Sequence, residues 1–226
     1  MEAYKRLIYH SYAGLLKVYM RLFLDFHVWG RENIPPGPKI YTPNHIASTD
    51  PLWLLPVFTE PVHIVIGPGY QSKVLAWIFD RFEQINAMPQ HRHTVVDQAV
   101  HYLNKGEAIY NAPEGDLSEP FQLGRFYPGV ARMYRRSRAP IIPMVMVAPR
   151  HRIREWPFPT VVEGRVYRTV SVLRGVFCIN VGKPFTPDVT DDGGPDEDDR
   201  IMDELKERMR LLVEDVRVNK FWLEKR

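Results

Sequence analysis

The run IIPMVMV, Ile141 to Val147, carries no charged side chain and no polar–apolar alternation over seven residues. A stretch that short and that uniformly apolar fits a β-strand covered on both faces, because a half-exposed strand alternates and a buried helix runs longer. Strands of this kind belong to sheets over which helices cross on both sides. Five further runs suit strands: KIYT (39–42), VHIVIG (62–67), EAIYNA (107–112), RVYRTVSV (165–172) and VFCINVG (176–182). Apolar spacing predicts helices between them, near 51–58, 71–82, 93–104 and 128–137. The alternation sets the expected fold class: α/β, with a mixed, largely parallel sheet flanked by helices.

An N-terminal amphipathic helix is expected over 3–29, where Tyr4, Leu7, Ile8, Tyr12, Leu15, Leu16, Tyr19, Leu22, Phe23 and Phe26 recur at spacings of three and four. Lys5, Arg6, Lys17, Arg21 and Asp25 fall mainly between them. Such a helix packs on its own domain or lies in a lipid interface, and both can hold at once. It lacks the roughly 18 uninterrupted apolar residues of a spanning helix, and no secretory signal pattern is evident. The expectation is peripheral or monotopic attachment to the cytoplasmic face of the membrane. IPPGP (34–38) then breaks the chain.

The formal charge of +3 is unevenly spread, since residues 188–199 hold seven acids and no Lys or Arg, which leaves a basic body. A basic body suits an anionic partner such as a membrane surface, a phosphate-bearing substrate or nucleic acid. Arg132, Arg135, Arg136, Arg138, Arg150, Arg152 and Arg154 flank the IIPMVMV strand without any nucleic-acid motif, so an anionic membrane surface is the expected partner and nucleic acid is not. The acidic segment reads as a loop into a last helix near 196–223, whose first-turn carboxylates complement the helix dipole. It lacks calcium-loop spacing, and the single cysteine, Cys178, excludes a thiol zinc cluster and reads as a buried strand residue. The expected division is an amphipathic helix over 1–30, a candidate for membrane binding, an α/β domain over 31–190, and an acidic loop with the C-terminal helix over 191–226.

Two polar turns stand at the carboxyl ends of predicted strands, where reactive groups of open α/β sheets gather. The first is PNHIASTDPLW (43–53), with His45 five residues before Asp50. Asp50-Pro51 reads as a helix N-cap followed by proline at N1. That accounts for Asp50 and leaves His45, which can act as a general base if a carboxylate fixes its tautomer. With eight His and thirteen Asp in the chain, the spacing alone is weak. The second turn is EAIYNAPEGDLS (107–118), which puts Glu114 and Gly115 at a strand end, either as a plain turn or as part of a shared site.

The order NHIASTDP, PEGDLS, APIIP resembles the glycerolipid acyltransferases with NHxxxxD and FPEGTRS signatures, the lysophosphatidic acid acyltransferase (PlsC-like) family. WGRENIPPGPKIYTPNHIASTDPLWLL, FYPGVARM (126–133) and VGKPFTP (181–187) are similar to its flanking segments, so the resemblance spans about 28–190. It implies transfer of a fatty acyl group from an acyl thioester, on coenzyme A or acyl carrier protein, to a hydroxyl of a lipid acceptor, with no bound cofactor and no metal. His45 is then the general base and Asp50 its orienting partner. Glu114 and Gly115 match acceptor-binding residues, and Arg92 the phosphate-contacting arginine of a second motif. Where the family has E-G-T-R, this chain has Glu114-Gly115-Asp116-Leu117. The phosphate-binding arginine is thus replaced by Leu117, with Arg125 as a candidate substitute. The acceptor is a glycerolipid or lysophospholipid, or alternatively a glycolipid or amino-alcohol lipid. A non-catalytic lipid-binding protein of the same fold is the other alternative.

Overall fold

A computed structural model describes residues 3–58, 60–190 and 194–219. Its strands are β1 (Leu24–Trp29), β2 (Ile40–Pro43), β3 (Val62–Ile66), β4 (Ile85–Asn86), β5 (Ala108–Tyr110), β6 (Ile141–Val147), β7 (Arg154–Val162), β8 (Arg165–Ser171) and β9 (Gly175–Val181). Its helices are α1 (Ala3–Phe23), α2 (Asp50–Leu54), α3 (Lys73–Arg81), α4 (Val95–Asn104), α5 (Gly129–Ser137) and α6 (Pro195–Asn219). A seven-stranded sheet has the order β1-β9-β6-β2-β5-β3-β4. Every neighbouring pair in it is parallel except β6 with β9.

β6 behaves as its sequence predicts. Ile142, Met144 and Met146 enter the core beneath α1 and α2, while Ile141, Val145 and Val147 enter the core beneath α4, α5 and α6. Covering both faces removes each side chain from water, at about 1.5–3 kcal/mol for a fully buried Ile or Met. Cys178 lies buried in β9, inside the second of these cores. The mixed α/β sheet and both terminal helices match the expected class. The last residues of the expected 196–223 helix, and Asp191 and Asp192 of the acidic loop, lie outside the described residues.

One expectation about the elements is corrected. The N-terminal helix stops at Phe23, and Leu24–Trp29 pairs with β9 as an edge strand. Leu24, Phe26 and Val28 alternate, a period of two that the preceding helical pattern masks. The 165–172 run is a strand, as expected, and it lies outside the main sheet. It pairs antiparallel with 154–162, which carries Pro157 and Pro159 and so lacks a sequence-level strand signal. The turn of this β7–β8 hairpin, Glu163-Gly164, has positive φ at both residues, as two-residue hairpins favour. The hairpin packs Val162 and Tyr167 on a small cluster containing Tyr70, Met88 and Phe79.

α1 buries Tyr9, Ala13, Leu16 and Met20, one stripe at spacings of four, three and four. Its opposite side exposes Leu7, Leu15, Val18 and Leu22, and Arg6, His10, Lys17 and Arg21 are exposed beside them.

Candidate active site

The parallel strands β2, β5, β3 and β4 end on one edge of the sheet, and the candidate residues follow them there. His45 comes two residues after β2, Glu114 four after β5, and Arg92 lies on a 3₁₀ turn, Pro89–Thr94, after β4. The chain reverses sharply at His45 because Asn44 is anchored to the neighbouring strand. Its side chain donates to Met146 O at 3.0 Å and accepts from Met146 N at 2.6 Å.

From that anchor the loop 45–49 folds around one carboxylate. Asp50 Oδ2 lies 3.0 Å from His45 Nδ1 and accepts the backbone N–H groups of Ile46 and Ala47, each at 2.8 Å. Asp50 is fully buried at the start of α2, where the helix dipole favours a negative charge. The N-cap position itself is Thr49, with no side-chain cap bond, so the expectation of Asp50 as N-cap is corrected. Its carboxylate turns back onto its own loop instead, and the loop and the His–Asp pair are one construction. With the carboxylate accepting at Nδ1, the ring holds its proton there and leaves a lone pair on Nε2. The imidazole is 26% exposed, so Nε2 can meet a substrate.

Glu114 holds the same loop from the other side. Its Oε2 accepts from His45 N at 2.9 Å and its Oε1 from Gly124 N at 2.6 Å. Burial pushes its carboxyl upward, against the opposing pull of the Gly124 and His45 N–H groups. Ser118 donates to His45 O through its N–H at 2.6 Å and its hydroxyl at 3.2 Å. His45 is thus clamped at both its backbone N–H and its carbonyl. Gly115 is exposed with φ +61°, a conformation other residues rarely adopt.

The structure therefore brings His45, Asp50, Glu114 and Gly115 together. Arg92 and Arg125 are both exposed. β4 lies three strands from β2, about 14 Å at the usual spacing, so the turn that carries Arg92 leaves the sheet that far along from the strand leading to His45. Arg125 follows Gly124 and lies 5.5 Å over the Tyr127 ring. Leu117 is half-buried against the core beneath α2, while exposed Asp116 pairs with Arg165 of β8. An open groove of about 570 Å³ runs between Glu119–Gln122 and Pro149–His151, beside Ser118.

Sequence reasoning overlooked Asn44, Ser118 and the hairpin. The first two stand inside the quoted motif stretches and were legible as polar residues at strand ends. The hairpin's β8 was expected as a strand, but β7 and the pairing of the two had no local signal. Its strand β8 reaches the His45 loop through Ser48 N to Val170 O at 2.7 Å, Val170 N to Ser48 Oγ at 3.2 Å and Val172 N to Thr49 Oγ1 at 3.2 Å.

Comparison with known proteins bears on the family and the fold. A family profile described as "Acyltransferase" matches residues 25–147. The chain is 22% identical over 152 residues to the chloroplastic 1-acyl-sn-glycerol-3-phosphate acyltransferases BAT2 of Brassica napus and LPAT1 of Arabidopsis thaliana. Those alignments cover 65% of this chain but only 44% and 43% of the plant proteins, so the chain spans less than half of their length. The crystal structure of the 1-acyl-sn-glycerophosphate (LPA) acyltransferase PlsC from Thermotoga maritima superposes with a TM-score of 0.69 at 17% identity, over 95% of this chain and 81% of that one.

Proposed function

The chain belongs to the acyltransferase family, and from that premise we propose that it moves a fatty acyl group from a thioester, acyl-CoA or acyl carrier protein, to a hydroxyl of a glycerolipid or lysophospholipid. The observation that carries this reading is the His45–Asp50 contact, with Nδ1 bound and Nε2 open. Nε2 takes the proton of the acceptor hydroxyl as its oxygen attacks the thioester carbonyl. The resulting imidazolium is stabilised by Asp50. Collapse of the tetrahedral intermediate breaks the C–S bond, and the proton passes from His45 to the departing thiolate. The products are an ester and a free thiol, with no covalent enzyme intermediate. A thioester is already activated, so alignment is the main demand, and the reading calls for no resident cofactor. The clamps at His45 N–H and carbonyl supply that alignment. Similarity to acylglycerol-phosphate acyltransferases supports a phosphate-bearing acceptor.

His45→Ala tests it. With a labelled acyl thioester, thiol release and ester formation are expected to fall at least about 100-fold while circular dichroism stays native. Unchanged turnover sinks the reading.

The same reading sets the protein on the cytoplasmic leaflet of an anionic membrane, with residues 1–30 as the membrane-binding unit and 31–190 as the transfer domain. Among the described residues no helix is long and apolar enough to cross a membrane. The exposed Leu7, Leu15, Val18 and Leu22, with basic neighbours, suit interfacial burial of α1. Leu15→Glu with Leu22→Glu should release the protein from anionic vesicles in flotation; full retention refutes the idea.

A further inference from the structure

The β7–β8 hairpin lies outside the main sheet, yet it is bonded to both loops that hold His45. Ser48 and Thr49 meet it at Val170 and Val172, and Asp116 meets it at Arg165, the first residue of β8. The positive-φ turn at Glu163-Gly164 fixes where Arg165 begins, and its guanidinium sits 4.9 Å over the Tyr167 ring. Holding a surface arginine in one place loses rotamer entropy that an exposed ion pair barely offsets. Stability alone does not explain the arrangement.

The guanidinium is only partly engaged. Nη2 donates to Asp116 Oδ2, while Nε and Nη1 make no hydrogen bond among the described residues, and the side chain is 49% exposed. Its partner Asp116 directly follows Gly115, which has no side chain to fill the space in front of the Tyr127 ring. Leu117 is turned to the core and leaves the position free. Arg125, Arg150 and Arg168 are exposed as well; Arg150 and Arg168 each lie 3.8 Å from Glu119, and Arg168 lies 3.6 Å from Glu155. Arginine's fork suits phosphate oxygens, and Asp116 holds one arm of it still.

Resting on the acyl-transfer reading, we propose that Arg165 is the specificity-determining cation of the His45 site and binds a phosphate ester carried by one of the two substrates. The shared chemistry is a phosphate ester on the acceptor headgroup or on the coenzyme A of the donor. The site is assembled across 49 residues of chain, with Asp116 as its positioning residue.

The test crosses acceptors and donors on the full chain: a 1-acylglycerol 3-phosphate against the matching monoacylglycerol, and acyl-CoA against the acyl thioester of N-acetylcysteamine. Arg165→Gln is expected to raise KM at least about tenfold for one phosphate-bearing substrate, as loss of a charge-assisted hydrogen bond implies, with kcat unchanged. The phosphate-free counterpart should move less than about twofold. A rise confined to the acylglycerol phosphate assigns the subsite to the headgroup, and one confined to acyl-CoA assigns it to the donor. Arg165→Lys should recover part of the KM. No KM change, or equal losses with phosphate-bearing and phosphate-free substrates, overturns the proposal and leaves the hairpin as a prop for the loops. If wild type transfers acyl to nothing, the acyl-transfer reading fails separately. Titration with coenzyme A and with glycerol 3-phosphate then decides the subsite, which fails if Arg165→Gln binds as wild type does.

Discussion

Two of the histidines that meet carboxylates lie at opposite ends of the central strands, His63 at the amino end and His45 beyond the carboxyl end, and they are built differently. At the amino end, His63 of β3 is fully buried and stacked on Tyr102 at 3.7 Å. Its Nδ1 lies 2.8 Å from Glu83 O and its Nε2 lies 2.7 Å from Glu107 Oε2, so both nitrogens are engaged. At the carboxyl end, His45 has Nδ1 on Asp50, and its Nε2 makes no hydrogen bond among the described residues. A histidine beside an acid becomes a base only when a nitrogen remains and a path leads to it. The amino-end pair has both ring nitrogens engaged, and the carboxyl-end pair is the one the proposed reaction uses.

Asp50→Asn strikes this contrast hardest. An amide in place of the carboxylate removes the anion that stabilises the imidazolium, and it offers donors where Ile46 and Ala47 also donate. We expect kcat to fall roughly 10²–10⁴-fold in steady-state assays with a thioester donor. Glu107→Gln should leave kcat within about twofold. A similar collapse in both variants breaks the distinction between the two ends.

The converse variant acts on stability. His63→Leu removes the hydrogen bond to the Glu107 carboxylate and the ring stacked on Tyr102, at a cost of about 1.5–3 kcal/mol, the range for a hydrogen bond to a charged group. Denaturant melts should show it, while turnover per folded molecule stays as in wild type. A loss of turnover without a loss of stability would give His63 a role in the reaction.

Sequence alone revealed more of one end than of the other. The carboxyl-end site was legible because its parts are local: His45 and Asp50 share one loop, and Glu114 follows a strand whose apolar run announces it. Their coupling, Glu114 to His45 N across 69 residues, follows only from the parallel pairing of β2 with β5. His63, Glu83 and Glu107 gave no sign, being single polar residues at strand starts that the sheet alone gathers. Arg165 was hidden because two prolines disguise β7 and its partner Asp116 is remote. β1 was lost for a different reason, since six alternating residues directly continue a 21-residue helix with no breaker before Gly30.

The finest test of the contrast is pH. At the amino end the hydrogen bond from Lys5 holds the Glu83 carboxyl below its usual range, and Glu107 is also low because partners that include His63 outweigh its burial. At the carboxyl end burial pushes Glu114 up. The signs are opposite. A lowered carboxyl adds stability in full above the unfolded value, about 4.3, and loses it as pH falls through the folded value. A raised one imposes a cost above its folded value that is relieved as pH falls toward 4.3. Glu107→Gln should therefore flatten the acid limb of stability against pH below about 4.3, whereas Glu114→Gln should remove the relief just above it. Urea melts across pH 3 to about 6 read both changes. Parallel shifts of the two variants would mean that the two ends carry their carboxylates in the same way.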